Sequence, residues 1–419
     1  MGQHLGTTAF AAVNLAMPFV VINFAVSDLI GVGSSVVISL LLGRGERAEA
    51  NNAFTCSALL IVGLDTALGA ALFAGAPLIL SLMGATDELA ELAVDYLRVY
   101  ALCSPFTTLF YATDNYMRIS GYLKANMALC VLMSAISLVL EVLFLGVLGW
   151  GIWAAALACS LAMVICLVFS LAPFVMRRAT LAFCHPRFTL DLVKRVFACG
   201  SPTFLNNVAQ RITSIVINAV LVRLGGEAAV SAYGVLMFVD GFAQPLFYGT
   251  CDALQPAVSY NWGARRYGRV RALEKRCFLA AAAIGAAAVA VVALFPDALI
   301  ALFMPDATGE VLALSRDALG LFTITYLFRW LAFATQSYMN AIAKPLPASL
   351  ISVSAALVFP LVLLVVLHPL GLTGIWLNFP GTAVLCALLS VAVLAATRAK
   401  THRPDAGARE RQPTTTANF

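Results

Sequence analysis

Residues 253–271 read ALQPAVSYNWGARRYGRVR: about ten mostly apolar residues, a Gly-Ala hinge, then Arg265, Arg266, Arg269 and Arg271. In a soluble enzyme such a stretch could be a core helix meeting a basic loop. The rest of the chain decides against that. Of its 419 residues, 61% are hydrophobic and 11% are charged, with mean hydropathy +0.92. A soluble domain carries about 25% charged residues. Apolar blocks of helix-spanning length recur throughout, each able to cross a hydrocarbon core of roughly 30 Å. The fold class is therefore all-α: a polytopic membrane protein embedded in the lipid bilayer. A β-barrel would need short alternating strands of about ten residues instead of long apolar blocks. Residues 253–271 then read as the end of one membrane helix and the basic segment that stops it.

Apolar runs between charged breaks predict eleven helices, at about 7–42, 53–83, 90–116, 124–147, 151–176, 195–222, 228–262, 277–303, 312–342, 346–368 and 373–397. The first and seventh would be roughly 54 Å long if straight, so each must tilt, bend or project into water. The connecting segments alternate in charge. One side holds Arg44 and Arg47, Arg118 and Lys124, RRATLAFCHPRFTLDLVKR from Arg177, Arg265 to Arg276, Lys344 and the tail from Arg398. The other carries GATDELAELAVD from Gly84, Glu227 and MPDATGE from Met304. Positive charge marks the cytoplasmic side, which places the C-terminus inside and, with eleven spans, the N-terminus outside. The +5 net charge is spread over these short segments and gives no support for a nucleic-acid partner. The ten cysteines form no C-x-x-C pair and read as small apolar residues, so no metal is expected.

The two halves repeat. A shift of 220 carries Gly6, Ala9, Ala12, Ser39 and Gly43 onto Gly226, Ala229, Ala232, Ser259 and Gly263. A shift of 222 carries ATDNYM at Ala112 onto ATQSYM at Ala334, and one of 223 carries GIW at Gly151 onto GIW at Gly374. Ordered matches at a near-constant offset indicate an internal duplication. The expected organisation is an N-terminal lobe of five spans at 1–176, a cytoplasmic linker at 177–194, a C-terminal lobe of six spans at 195–397 and a cytoplasmic tail at 398–419. Six spans return each repeat to the same orientation, so the pseudo-two-fold axis runs along the membrane normal.

LQPAVSYNWGARRYGRVR resembles the end of the eighth helix in the multidrug and toxic-compound extrusion (MATE) family. LGTTAFAAVNLAMP from Leu5, with GRGERAEANNAF from Gly43, is similar to that family's second helix and following loop. YMRISGYLKANM from Tyr116 and GWGIWAAALA from Gly149 are similar to its fourth-to-sixth helix region. The resemblance covers nearly the whole chain. It implies twelve helices in two pseudo-symmetric bundles around a central cavity, with cation-coupled antiport that exports amphipathic, often cationic compounds. It also implies an acidic residue on a first helix that helps bind the coupling ion. The second half has a span at 195–222 whose counterpart would precede Met1, so the expectation is that the family's first helix is missing here, through truncation or a misassigned start.

Ionisable groups at membrane depth cost roughly 2.5–3.5 kcal/mol on insertion scales and face the protein interior. The candidates are Asp28, Asp65, Glu141, Arg211, Asp240, Asp252 and Arg329, an acidic excess that suits a path for cations. Asp28, Ser35 and Ser39 share one helical face, as do Asp252, Gln255 and Ser259 in the repeat partner. Asn207, Arg211, Ser214 and Asn218 stripe another helix, with Asn206 and Gln210 adjacent. Thr325, Arg329, Gln336 and Asn340 stripe a third. Cavity lining competes with plain helix–helix hydrogen bonding for all of these. Arg211 is expected to pair with Asp240 or Asp252. Glu141 stands where the resembling family usually has an aspartate, so the resemblance implies a protonatable carboxyl there; solvation at the membrane interface is the rival reading. Asp65 stands among Ala, Leu and Gly, and the sequence does not choose a role for it.

The expected function is a monomeric antiporter that takes H+ or Na+ as coupling ion, uses no cofactor, and moves a small amphipathic molecule by alternating access. A lipid-linked saccharide flippase of similar architecture is the alternative; it would favour a more cationic cavity. An inactive, shortened transporter is a third reading. An enzyme has no support: the four histidines lie near loops or termini, and no H-E-x-x-H, G-x-S-x-G or Walker A sequence is present.

Overall fold

Lipid offers no hydrogen-bond partners, so a chain this apolar must satisfy its backbone within helices. The computed structural model describes residues 2–82, 87–304 and 309–401, and the regular elements among them are all helical, with irregular connections such as 176–189 between them. In order they are α1 (Gly2–Arg44), α2 (Arg47–Leu82), α3 (Asp87–Ile119), α4 (Leu123–Glu141), α5 (Trp153–Val175), α6 (Leu190–Gly263), α7 (Tyr267–Leu294), α8 (Pro296–Phe303), α9 (Gly309–Ala341), α10 (Pro345–Val353), α11 (Phe359–Leu367) and α12 (Gly371–Thr401). Eight stretches are long and apolar enough to cross a membrane. Two of them are double. The 74 residues of α6 break at Gly226 (φ 56°, ψ −144°), and the 54 residues from Pro345 to Arg398 break at Gly371 (φ 62°). Both breaks need a left-handed φ that glycine adopts without steric cost. Adding α3, which is less apolar because it carries Asp95, Arg98, Asp114 and Arg118, gives eleven crossings among the described residues.

Several boundaries differ from the sequence reading. The basic segment after Gly263 is a short turn at 264–266, and Arg269, Arg271, Lys275 and Arg276 form the first turns of α7. Lys and Arg are good helix formers, so the helix simply continues past the apolar stretch on the basic side. The span expected at 277–303 divides at Phe295, where Pro296 opens α8, because proline cannot continue the preceding hydrogen-bond ladder. Each half carries a π-helical turn, though not at equivalent positions. One runs 142–147 after α4, the other 354–358 between α10 and α11.

The linker is docked onto the basic end of α2. Asn52 accepts from the Arg187 N–H at 2.7 Å and donates to its carbonyl at 3.0 Å. Asn51 accepts from the Ala182 N–H and Thr55 from the Cys184 N–H. Phe183 packs on Phe54, with ring centroids 4.7 Å apart.

Helices α1–α5 build two apolar cores, one of which also takes in Leu181 of the linker and Val196 and Cys199 of α6, and the second half buries a third that runs from Ile217 to Leu394. Where the halves meet, glycines let α1 and α6 touch backbone to backbone. A Cβ on Gly200 would sit 1.7 Å from the Leu29 carbonyl oxygen, and one on Gly43 2.0 Å from that of Tyr260. Gly43 and its repeat partner Gly263 thus join the two equivalent helices at their basic ends.

Candidate functional site

Polar side chains from α6, α9 and α12 converge in a cavity of about 290 Å³ inside the second bundle. Gln210, Arg211, Asp240, Arg329 and Gln336 line it, with Phe322 and Phe333 as aromatic walls. The π-turn at 354–358 forms part of its rim. Ala356 points its carbonyl across to the Thr213 hydroxyl, which donates at 2.5 Å. A widened turn frees a carbonyl that must find another donor in a water-poor setting. Asn206 and Gln210 both donate to the Tyr248 hydroxyl, at 2.8 and 3.3 Å. A larger cleft of about 760 Å³ opens at the basic end between α7, α9 and α12, lined by Trp262, Phe278 and Trp330. It touches none of the buried polar stripes, so the smaller cavity is the better candidate.

The charge pairing differs from the sequence reading. Arg329, not Arg211, holds Asp240: its Nη1 donates to both carboxylate oxygens at 2.7 and 2.9 Å, and Tyr326 adds a third bond at 3.2 Å. Helix α9 packs along α6 and delivers Arg329 one turn from Tyr326, while Arg211 of α6 lines the same cavity. Arg211 has no ion-pair partner among the described residues. The cavity therefore holds two guanidinium groups against one carboxylate.

Asp28 and Asp252 come from the two repeats and lie close enough to feel each other's charge. Asp252 accepts from Gln255 at 2.8 Å and from Ser337 at 3.1 Å, and Asn340 donates to Gln255 at 3.3 Å. Ser35 and Ser39, expected on the same polar face as Asp28, are 2% and 1% exposed. Ser35 donates to the Val32 carbonyl in its own helix. Tight glycine-mediated packing at the basic ends of α1 and α6 excludes both serines from any open cavity. Asn207 lies outside the second-bundle cavity. Glu141, half-buried where α4 gives way to the π-turn, acts electrostatically on Tyr96 and Cys159.

One cluster escaped the sequence reading. Asp65 of α2 is 1% exposed and accepts three hydrogen bonds: from Ser27 at 2.6 Å, Thr108 at 2.7 Å and Asn23 at 3.1 Å. Asn23 and Ser27 stand four residues apart on α1, a spacing that marks one helical face. That signal was present, but nothing in a single sequence says which neighbour the face meets.

Two bundles of membrane-crossing helices, repeated in sequence, with buried polar groups inside, define a multi-pass membrane transporter. The MatE family profile matches residues 1–144 and 202–366, and the chain belongs to this family of efflux transporters. It is similar to the multidrug export protein MepA of Staphylococcus haemolyticus, 24% identical over 92% of this chain and 84% of the relative. The protein of that name from Staphylococcus aureus strain MSSA476 is 22% identical over 92% and 85%. Among solved structures, an outward-facing multidrug-resistance MATE transporter of the MOP superfamily superimposes with TM-score 0.89 at 22% identity, covering 96% of this chain and 90% of that one.

Proposed function

We propose that the protein is a cation-coupled antiporter of the bacterial cytoplasmic membrane. It exports small amphipathic, cationic drugs or metabolites by alternating access. The observation that carries this reading is the pair Asp28 and Asp252, one carboxylate from each repeat, close enough to interact electrostatically. A cation, whether substrate or coupling ion, relieves the repulsion of such a pair. A site built from both bundles changes affinity when the bundles move, which is the condition for coupling. The Gly43 and Gly263 contact closes the basic ends of the equivalent helices, which supports an outward-open arrangement. The names of the staphylococcal relatives support multidrug cargo.

The test is accumulation of ethidium in cells with and without the protein, with a proton uncoupler and sodium removal as separate controls. Export should be lost in Asp28→Asn or Asp252→Asn at matched amounts of folded protein. Wild-type export in both variants would reject the carboxylate pair as the cation site. The unpaired Arg211 favours a second reading, a flippase for lipids with an anionic saccharide-bearing headgroup. On that reading ethidium is not exported at all, and Arg211→Gln abolishes movement of a fluorescent anionic lipid in proteoliposomes.

A further inference from the structure

The least explained group in the first bundle is Asp65. It sits where three helices approach closely. A Cβ on Gly69, one turn along α2, would lie 2.6 Å from the Ala101 carbonyl, and one on Gly31 of α1 would lie 3.3 Å from Ala112 Cβ. These glycine contacts press α1, α2 and α3 together around the carboxyl. No Lys or Arg reaches it among the described residues; its partners are two hydroxyls and one amide. A buried charge with no counter-charge is costly unless its hydrogen bonds hold it.

Those hydrogen bonds can be remade without moving a heavy atom. The Ser27 hydroxyl lies 2.6 Å from Asp65 Oδ2 and 3.2 Å from the Asn23 carbonyl. The Thr108 hydroxyl lies 2.7 Å from the same Oδ2 and 2.7 Å from the Ser104 carbonyl. Each hydroxyl has one proton and at least one backbone acceptor in reach besides Oδ2; Thr108 has a second, the Pro105 carbonyl at 3.4 Å. With both protons turned to Oδ2, the cage serves a carboxylate. With either turned to the backbone, that hydroxyl oxygen becomes an acceptor for a proton on Oδ2, and the cage serves a carboxylic acid. Asn23 donates to Oδ1 in both states, and its own Oδ1 is held by Tyr100 at 3.1 Å.

We propose that the Ser27–Asp65–Thr108 cage is a reversible proton-binding site that ties α1, α2 and α3 together, separate from the Asp28–Asp252 pair. The proton adds to Oδ2 from water and leaves to water, with no other bond made or broken. The proposal deepens the antiport reading, which leaves the coupling ion open, and selects the proton for this site. Tyr100 of α3 faces the cage, with Tyr96 and Tyr111 of α3 and Cys159 of α5 beyond it. Glu141 at the end of α4 acts on Tyr96 and Cys159, and Asp28 follows Ser27 on α1 and interacts electrostatically with Asp252.

The direct test is infrared difference spectroscopy of the purified full chain between acidic and alkaline buffer, in light and heavy water and without any transported compound. It reads Asp65 even if the protein exports nothing, so its failure is distinct from failure of the antiport reading. The expected result is a deuterium-sensitive carboxylic-acid carbonyl band that vanishes on alkalinisation, is absent in Asp65→Asn, and moves its midpoint in Thr108→Val, which leaves the carboxyl but removes one of the switching hydroxyls. A band unchanged in Asp65→Asn, or no titrating band assignable to Asp65, overturns the proposal. So does loss of the band on adding sodium at constant pH, which makes the cage a metal-ion site. If Asp65→Asn does not fold, Asp65→Glu and Thr108→Val carry the assignment: an unshifted band in both rejects it.

Discussion

At the scale of single residues, the Asp240–Arg329 pair gives the sharpest expectation. Its carboxylate and guanidinium side chains are 9% and 21% exposed, so removing one leaves the other uncompensated in a water-poor cavity. Asp240→Asn should cost about 3–5 kcal/mol, and Asp240→Asn with Arg329→Gln should recover most of it, because only the single change strands a buried charge. Thermal unfolding in detergent measures both; equal losses in the single and double variants would show that the pair is not an isolated unit. On the acidic side, Arg316 grips Asp297 through both carboxylate oxygens at 2.5 and 2.7 Å and holds that carboxyl below its usual range. A depressed folded-state value gives stability that is present above the unfolded value of about 4 and is lost as pH falls through the folded one. Mild acidification should therefore leave the α8–α9 bridge intact, and Asp297→Asn should alter the unfolding temperature above that pH but not well below it. Residue types were legible in the sequence at this scale, whereas partners were not. Arg211 and Arg329 look alike in an apolar run, and only the packing of α9 on α6 decides which of them receives Asp240. Asp65 looked solitary because its three donors come from helices 38 to 43 positions away in the chain.

At the scale of helices, periodicity and charge located the eleven crossings among the described residues, because hydrocarbon thickness sets a minimum run that chance seldom meets. Their ends were less legible. Basic turns such as Arg269 to Arg276 continue a helix into water, and the π-turns at 142–147 and 354–358 carry no composition signal. The contact of α1 with α6 depends on missing side chains. Gly200→Ala must push Leu29 away, since the added carbon would overlap its carbonyl oxygen, and should destabilise by about 1–3 kcal/mol as an overpacked site. Gly268→Ala, with open space around it, should be silent in the same unfolding assay. The docked linker offers a separate check. Asn52→Ala removes both bonds to Arg187 at a cost of about 1 kcal/mol, so trypsin should cut at Arg177, Arg178 or Arg187 faster than in wild type while the helices remain intact. An unchanged cleavage rate would mean that Phe183 on Phe54 holds the linker alone.

For the whole molecule, the decisive quantity is its orientation in the membrane, since export has a direction only once the two faces are assigned. The charge rule puts the linker, the α6–α7 turn and the start of α10 in the cytoplasm, and the α7–α8 junction outside. The protein carries its own reporter: of its ten cysteines, Cys184 on the linker is the exposed one, and the rest are buried or half-buried in the helices. Ala298, exposed on α8 two residues beyond Pro296, suits an introduced outer cysteine and lies within the described residues, unlike Ala307. In intact cells an impermeant thiol reagent should leave Cys184 unmodified and label Ala298→Cys in a Cys184→Ser background. After permeabilisation Cys184 should label as well. Because α6 crosses twice, broken at Gly226, the linker before it and the start of α7 after it lie on the same side, and a cysteine replacing Gly268 must behave as Cys184 does. Reversed labels at all three positions would invert the protein and turn the proposed outward-open arrangement into an inward-open one. Opposite labels at Cys184 and at position 268 would break the parallel repeat itself, and with it the pairing of Asp28 with Asp252 as equivalent groups of one shared site.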